Sequence, residues 1–395
     1  MQYGRLKSAL KSPSLKTTDS LHRIHPLSLG VLIVLAACSS APGSTAASTA
    51  PSVSTTASSP AATGYRVLFT ASSANANEIF LYDSASSAPQ QLVSLGAGPA
   101  PEAHFVSAQR IAYVDSSMAG STRIMSFDLS TRASTAEVSV TGNANIPAFA
   151  YSHDGSRLAY LVHDAAGKAS LHVRHSGQET TLNLNPIPGR GSGRDDEQRL
   201  EYAPDDTYLL MVDTFVGNQG QAPETGQFLV LRTADNTVAF LPPSGVSVNA
   251  TMATWARRSD RLYYRDAIGV RTWDAGVTSV GTLATALHWY DPAASPDGRW
   301  LAFTDIDAQF VPHVRLYDLQ NNRAVATVQA PRSRPIFITA DTLWYLEEQA
   351  CQSECLGGPS QTSGKLMSYS LTGKTETVLP FTDVHSLSQL SVFSR

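Results

Sequence analysis

From Gly64 onward, short apolar stretches recur at regular intervals, separated by polar, turn-forming segments. The anchor of each copy is a contiguous triplet. It reads Val67-Leu68-Phe69, Ile111-Ala112-Tyr113, Leu158-Ala159-Tyr160 and Leu209-Leu210-Met211 in the first four copies. The last three are Leu262-Tyr263-Tyr264, Leu301-Ala302-Phe303 and Leu343-Trp344-Tyr345. Successive triplets start 44, 47, 51, 53, 39 and 42 residues apart. After a polar loop each is followed by an alternating stretch, such as Ile79-Phe80-Leu81-Tyr82 or Val314-Arg315-Leu316-Tyr317. Period-two alternation in runs this short, bounded by turn residues, predicts half-buried strands. No helical periodicity longer than about two turns follows residue 64.

A repeat of about 45 residues with room for four strands is the sequence mark of a propeller blade. The pattern predicts an all-β fold, a seven-bladed β-propeller with four-stranded antiparallel blades; six or eight blades are the alternatives. Inner strands are expected at residues 148–152, 198–202, 253–256, 290–295 and 335–339. The first copy begins with its triplet and has no strand before it. The last copy is followed by a spare alternating segment, residues 386–393. Pairing of that segment into the first blade would close the ring and leave no exposed edge there.

Two copies carry a sharper pattern before the triplet, Ser152-His153-Asp154-Gly155-Ser156-Arg157 and Ser295-Pro296-Asp297-Gly298-Arg299-Trp300. Asp-Gly suits a tight turn, because Gly takes positive φ freely and Asp caps the turn backbone. These segments resemble the SPDG-x-x-LAF hairpin of the WD-like repeats in TolB-type periplasmic propellers. The same repeats build the propeller of the dipeptidyl peptidase family. Other copies depart from it: Ala203-Pro204-Asp205-Asp206 keeps only Pro-Asp, and the Trp255 copy has Arg258 where Asp would stand. The resemblance covers most of residues 64–395 and implies a fold rather than an activity. The repeats run to Arg395, so the hydrolase domain of the peptidase relatives is not expected.

The N-terminal residues follow different rules. A basic segment leads into an apolar run of eleven residues, Leu27 to Ala37, too short for a bilayer core that needs about 20. This order is that of a secretory signal. Leu35-Ala36-Ala37-Cys38 resembles a bacterial lipobox, which implies lipid attachment to Cys38 and a signal peptide spanning residues 1–37. Ser39 after the cysteine implies onward transport to the outer membrane in a bacterium that has one. From Ser39 to Thr63, 23 of 25 residues are Ser, Thr, Ala or Pro. Such a stretch buries too little apolar surface to offset its ordering entropy, so residues 38–63 read as a tether before a domain at 64–395.

Composition narrows the partners. Charged residues are 16% of the chain, against about 25% in an ordinary soluble domain. Residues 1–37 hold five of the 29 Lys and Arg and one of the 33 Asp and Glu. The remainder therefore carries 24 positive and 32 negative charges, a formal −8. Such a body is not expected to bind nucleic acid. Cys351 and Cys355 are read as a disulfide closing a small loop outside the cytoplasm. A zinc site would need two further ligands, and a redox dithiol more usually has two intervening residues than three.

In a propeller, links from second to third strand share a face with links between blades. The long connections, residues 185–199, 213–227, 305–312 and 347–364, all belong to that face, so it is the expected binding face. Arg190, Arg194, Asp195, Asp196 and Glu197 form a mixed-charge cluster on one such loop, either a solvated loop or a ligand contact. His288-Trp289-Tyr290-Asp291 stands just before an inner strand, where side chains are placed to line the channel entrance; Trp289 and Tyr290 suit a peptide or sugar there, though core packing fits them equally. Asp305 and Asp307 are candidates to share Ca²⁺, but such sites need six or more oxygens and no loop supplies them. No other cofactor or metal is expected.

There is no Gly-x-Ser-x-Gly elbow, and Gly373-Lys374-Thr375 lacks the first glycine of a phosphate loop. The favoured reading is a monomeric, lipid-anchored envelope protein whose propeller binds a protein, peptide or glycan without catalysis. The alternative is a propeller enzyme, a lyase, lactonase or glycan hydrolase, with a metal in the channel. Convergence of His, Asp and Glu from several inner strands would favour the enzyme, and the expected inner strands supply few of them.

Overall fold

The computed structural model describes residues 64–394 apart from 73–75, 87, 97–100, 167, 184–197, 214–226, 243–252, 267–268, 286–288, 308–310, 327–329, 351–359 and 380–389. Cys38, Cys351 and Cys355 lie outside the described residues, as does the tether.

Blade 1 contains β1 (Tyr65–Ser72), β2 (Ala76–Asp83) and β3 (Gln90–Gly96). Blade 2 follows with β4 (Ala103–Ser107), β5 (Arg110–Asp115), β6 (Ser121–Asp128) and β7 (Ser134–Thr141). Blade 3 is β8 (Phe149–Tyr151), β9 (Arg157–His163), β10 (Ala169–His175) and β11 (Gln178–Asn183). Blade 4 is β12 (Arg199–Tyr202), β13 (Tyr208–Asp213), β14 (Gln227–Arg232) and β15 (Thr237–Phe240). Blade 5 is β16 (Ala253–Trp255), β17 (Arg261–Arg265), β18 (Gly269–Asp274) and β19 (Val280–Thr285). Blade 6 is β20 (Tyr290–Ala294), β21 (Trp300–Ile306), β22 (Pro312–Asp318) and β23 (Arg323–Ala326). Blade 7 is β24 (Arg332–Phe337), β25 (Thr342–Ala350), β26 (Ser360–Ser370) and β27 (Thr375–Val378). The last strand, β28 (Leu390–Ser394), returns to blade 1 and pairs antiparallel with β1, giving the order β28-β1-β2-β3. The molecule is therefore a seven-bladed all-β propeller of four-stranded antiparallel sheets.

The expected closure is present, with Tyr65 opposite Ser394 and Phe69 opposite Leu390. β28 also meets blade 2: the Phe105 amide donates to Ser391 Oγ at 3.3 Å, and the Phe105 and Phe393 rings lie 5.6 Å apart. Two inner strands differ from the expectation. β4 was not among the expected inner strands, because His104 and the short spacing to the next strand disguise it. β24 starts at Arg332 rather than residue 335 and accommodates Pro335 in a bulge.

The contiguous triplets have a structural cause. Each lies on the second strand of its blade, which packs against a neighbouring blade on both faces, so both sets of alternating side chains are buried. In every copy the outer two residues face the preceding blade and the middle one faces the next. Val67 and Phe69 pack with Trp344 of blade 7, whereas Leu68 packs with Ile111 and Tyr113 of blade 2. Leu158 and Tyr160 join the core shared with blade 2, and Ala159 that shared with blade 4. The buried apolar residues thus form seven clusters, one at each junction between blades. Outer strands such as β7 and β27 are mostly exposed.

The Asp-Gly hairpins also form as expected. Gly155 and Gly298 sit at φ 69° and 73°. Asp154 Oδ1 accepts from Ser152 Oγ at 2.6 Å and from the Ser156 amide at 2.9 Å. Asp297 repeats the pattern with Ser295 Oγ at 2.5 Å and the Arg299 amide at 3.1 Å. In blade 4 the glycine position is taken by Asp206, which adopts φ 61°. Asp tolerates this region better than most residues.

Candidate functional site

The first strand of each sheet lies on its inner edge, and these inner strands neighbour one another around the ring. Their N-terminal ends lie on the face that carries the links between blades. On that face two inner strands depart from regular geometry. β20 has a bulge between Tyr290 and Ala293, with Asp291 at φ 47°. β24 has a bulge between Ser333 and Ile336, with Arg334 at φ 53°.

Both residues precede a proline, Pro292 and Pro335. A residue before proline is pushed toward extended backbone, and positive φ is unfavourable for any side chain larger than Gly. Such positions cost on the order of 1–3 kcal/mol each and persist only where the surroundings impose them. The arrangement sets an acid and an arginine on neighbouring blades at the mouth of the central channel.

Asp291 lies within the electrostatic field of Arg334 and Glu348 of blade 7 and Arg199 of blade 4. Blades 4 and 6 are not neighbours, so Arg199 acts on Asp291 from a non-adjacent blade. Asp291 is half-buried and partly reached by water. Burial holds its carboxyl above the usual range, Arg334 and Arg199 pull it back down, and Glu348 pushes it up again.

The flanking charges have local partners. Arg199 donates to Glu201 at 2.7 Å and to the Ala253 carbonyl of blade 5 at 3.2 Å. Ser333 Oγ donates to the buried Glu348 carboxylate. Glu102, just before β4, accepts from the Phe149 amide of blade 3 at 3.1 Å and pairs with His104 at 2.8 Å. Arg332, two residues before Arg334, points elsewhere. It is buried within blade 7, bound to Glu376 at 2.7 Å, and links the inner strand to the outer one. Arg334 is exposed. The inner strands and their ends therefore supply more ionisable groups than the sequence suggested.

The residues singled out from sequence have varied positions. Arg190, Arg194, Asp195, Asp196, Glu197 and His288 lie outside the described residues. Trp289 is fully buried and stacks on Phe303 with centroids 5.0 Å apart, within the core between blades 5 and 6. It is a packing residue and offers no open face. Tyr290 lies under the Arg265 guanidinium at 5.5 Å and leads directly into Asp291. Asp305 pairs with Arg315 at 3.2 Å. Asp307 accepts from the Val311 amide at 2.8 Å and from His313 at 3.1 Å. The two carboxylates considered for Ca²⁺ thus have separate strand partners. Among the described residues no group of three or more His, Cys, Asp or Glu is placed to hold a metal.

The residues that sequence reading missed are Arg199, Arg334 and Glu348. The Asp291-Pro292 and Arg334-Pro335 dipeptides were a usable signal, since proline inside an inner strand marks a bulge.

No protein-family model and no curated protein matches the sequence. Solved structures do match by shape. TolB from Acinetobacter baumannii has a TM-score of 0.47 and 15% identity, over 83% of this chain and 66% of that one. A puromycin-hydrolyzing peptidase from Mycobacterium tuberculosis gives 0.53 and 10%, over 82% of this chain and 54% of that one. The β-propeller domain of the Trilobed protease from Pyrococcus furiosus, described as having an open velcro topology, gives 0.51 and 11%, over 82% and 95%. The chain spans less than two thirds of the length of the first two. At such identities the likeness is one of fold alone. Blade 1 here is completed by β28.

Proposed function

We propose that this chain is a lipid-anchored envelope protein whose propeller is a binding module for a protein, peptide or glycan, engaged at the channel mouth without catalysis. The observation that carries this reading is the pair Asp291 and Arg334. Two residues at positive φ in bulged inner strands of adjacent blades carry opposite charges, and such backbone costs on the order of 1–3 kcal/mol each. The lipobox-like Cys38 and the Ser/Thr/Ala/Pro tether support placement at the membrane. The acidic, low-charge body supports a partner other than nucleic acid.

The test is cross-linking capture from native membranes with wild-type protein and with the double variant Asp291→Asn/Arg334→Ala. A reproducible envelope partner, lost in the variant, is expected. No partner, or the same partner on both proteins, would count against the reading. Stoichiometric metal in the purified protein, lost on substitution of the channel acids, would favour the enzyme instead.

A further inference from the structure

We propose that Ser170, His172 and Glu179, on the flank of blade 3, form a nucleophilic relay that accepts the acyl group of an activated ester on Ser170 Oγ. The site stands apart from the channel mouth, on the third and fourth strands of its blade, and does not rest on the binding reading above. Ser170 and His172 share one face of β10, and Ser170 Oγ lies 2.9 Å from His172 Nε2. His172 Nδ1 lies 3.1 Å from Glu179 Oε1 on β11, with Thr181 Oγ1 3.2 Å from the same nitrogen. The His172 ring stacks on Tyr160 with centroids 4.9 Å apart, which fixes its plane. Hydroxyl, imidazole and carboxylate in this order are the parts of an activated serine, recognised by geometry and not by place in the chain.

Other blades separate what the fold needs here from what it does not. In blades 2, 3 and 7 the last residue of the apolar triplet is a tyrosine whose hydroxyl reaches the outermost strand. Tyr113 is 3.2 Å from Ser134, Tyr160 donates to Glu179 at 2.7 Å, and Tyr345 donates to Glu376 at 2.8 Å. The residue paired with that tyrosine on the third strand is Met125 in blade 2 and Met367 in blade 7, but His172 in blade 3. Arg123 and Lys365 stand where blade 3 has Ser170. The tyrosine bond is therefore architecture, and it forms without a histidine or serine beside it.

The partners set the protonation states. Burial pushes the Glu179 carboxyl up, but bonds from Tyr160, His172 and Arg174 hold it below its usual range, so it is ionised and only accepts. His172 Nδ1 then carries the proton, which leaves the Nε2 lone pair for the Ser170 hydroxyl. Ser170 is half-buried, and His172 and Glu179 are partly open to water, so a small ester has access.

In the reaction Ser170 Oγ attacks the ester carbonyl carbon while His172 Nε2 takes the hydroxyl proton and Glu179 stabilises the imidazolium. The bond to the leaving alcohol breaks, and Nε2 gives the proton to that oxygen. Water then attacks the Ser170 ester with His172 as base, releasing the acid and restoring the serine. One ester and one water become one acid and one alcohol. Ser170 lies within the ladders to Val162 and Asn183, so the strand amides beside it are engaged in pairing rather than in an oxyanion hole. The substrate class is therefore an ester with an acidic leaving group, such as an aryl ester, which departs without that help.

The experiment treats the whole chain with diisopropyl fluorophosphate and, separately, follows hydrolysis of p-nitrophenyl acetate against pH. Peptide mass mapping is expected to find the phosphoryl group on Ser170, fluoride leaving as the Oγ–P bond forms. Hydrolysis should need a neutral His172 and so rise with pH to a plateau. Ser170→Ala should abolish the labelling, and His172→Gln should lower the rate by roughly a hundredfold. His313→Gln, in blade 6, controls for imidazoles in general and should match wild type.

Glu179 acts through His172 and is a positioning residue. Glu179→Gln keeps an acceptor for Tyr160 but removes the charge behind the imidazole, so the rate should fall and the rising limb of the pH profile should move to lower pH. A limb that stays in place would overturn the part given to Glu179. A wild-type chain left unlabelled at Ser170, or equal hydrolysis by wild type and Ser170→Ala, overturns the proposal as a whole.

Discussion

Asp206 of blade 4 reaches across to His153 of blade 3, accepting from the His153 backbone amide at 2.8 Å while pairing with its ring Nδ1 at 2.8 Å. Its second oxygen lies 3.3 Å from the Asp154 amide. The unusual φ of Asp206 therefore places an interblade clamp where other copies have a plain glycine turn.

That clamp sets two opposed effects in a substitution. Asp206→Gly relieves the left-handed backbone but removes the bonds to blade 3. Each hydrogen bond contributes a net of about 0.5–1.5 kcal/mol, more than Asp loses by adopting this region. The expected result is a loss of about 1–2 kcal/mol, read as a lower melting temperature. Asp206→Asn keeps an acceptor and tolerates the same backbone, so it should lie between wild type and the glycine variant.

A second link on the same face responds to pH. Asp260 of blade 5 hydrogen-bonds Asp205 of blade 4 through its side chain. Burial, then that bond and the repulsion from Asp205, raise the Asp260 carboxyl to about 6, while hydrogen bonds from Thr207 help to hold Asp205 low. The folded state thus keeps a proton that the unfolded chain releases near the ordinary value of 3.8. The stabilisation from Asp260 is present in full below that value and is lost as pH rises toward and through about 6. Asp260→Asn should gain stability relative to wild type across that window, measured as melting temperature against pH. Parallel curves would refute the shared proton.

The ring closure predicts a large effect from a small deletion. Removing residues 384–395 takes away β28, its pairing with β1 and the Phe105–Phe393 contact. The melting temperature should drop sharply, and unchanged melting would contradict the clasp. Phe393→Ala tests the same seam more gently, and its half-buried ring should cost less than the roughly 3–5 kcal/mol of a fully buried one.

The proposed membrane attachment through Cys38 has its own readout. Labelled palmitate should be incorporated by the wild-type chain and not by Cys38→Ser, and the variant should move to the soluble fraction. Equal labelling of both would exclude Cys38 as the anchor point.

The propeller was legible because its signal is repeated and physically simple. A strand buried on both faces must be apolar throughout, so Leu301-Ala302-Phe303 marks itself wherever it lies. Asp154-Gly155 and Asp297-Gly298 were readable because a tight turn restricts residue choice. The channel mouth was harder to read. Arg199, Asp291 and Arg334 are 92 and 43 positions apart in sequence, and only the curvature of a closed ring brings them together. Tyr290-Asp291-Pro292 reads as the start of an inner strand, but the bulge within it depends on β21 beside it. The sequence leaves Trp289 open between an exposed face and core packing, and Phe303 covers it in the core.

β1 has a further consequence, a mechanical one. It is the point where the chain enters the ring after residue 64, and it is hydrogen-bonded on one edge to β2 and on the other to β28. Tension arriving from the N-terminal side runs along this strand rather than across it. Both ladders are then loaded in shear, so their bonds resist together instead of unzipping one at a time. The seam that joins the first and last strands of the ring is thus loaded in the direction its ladders resist.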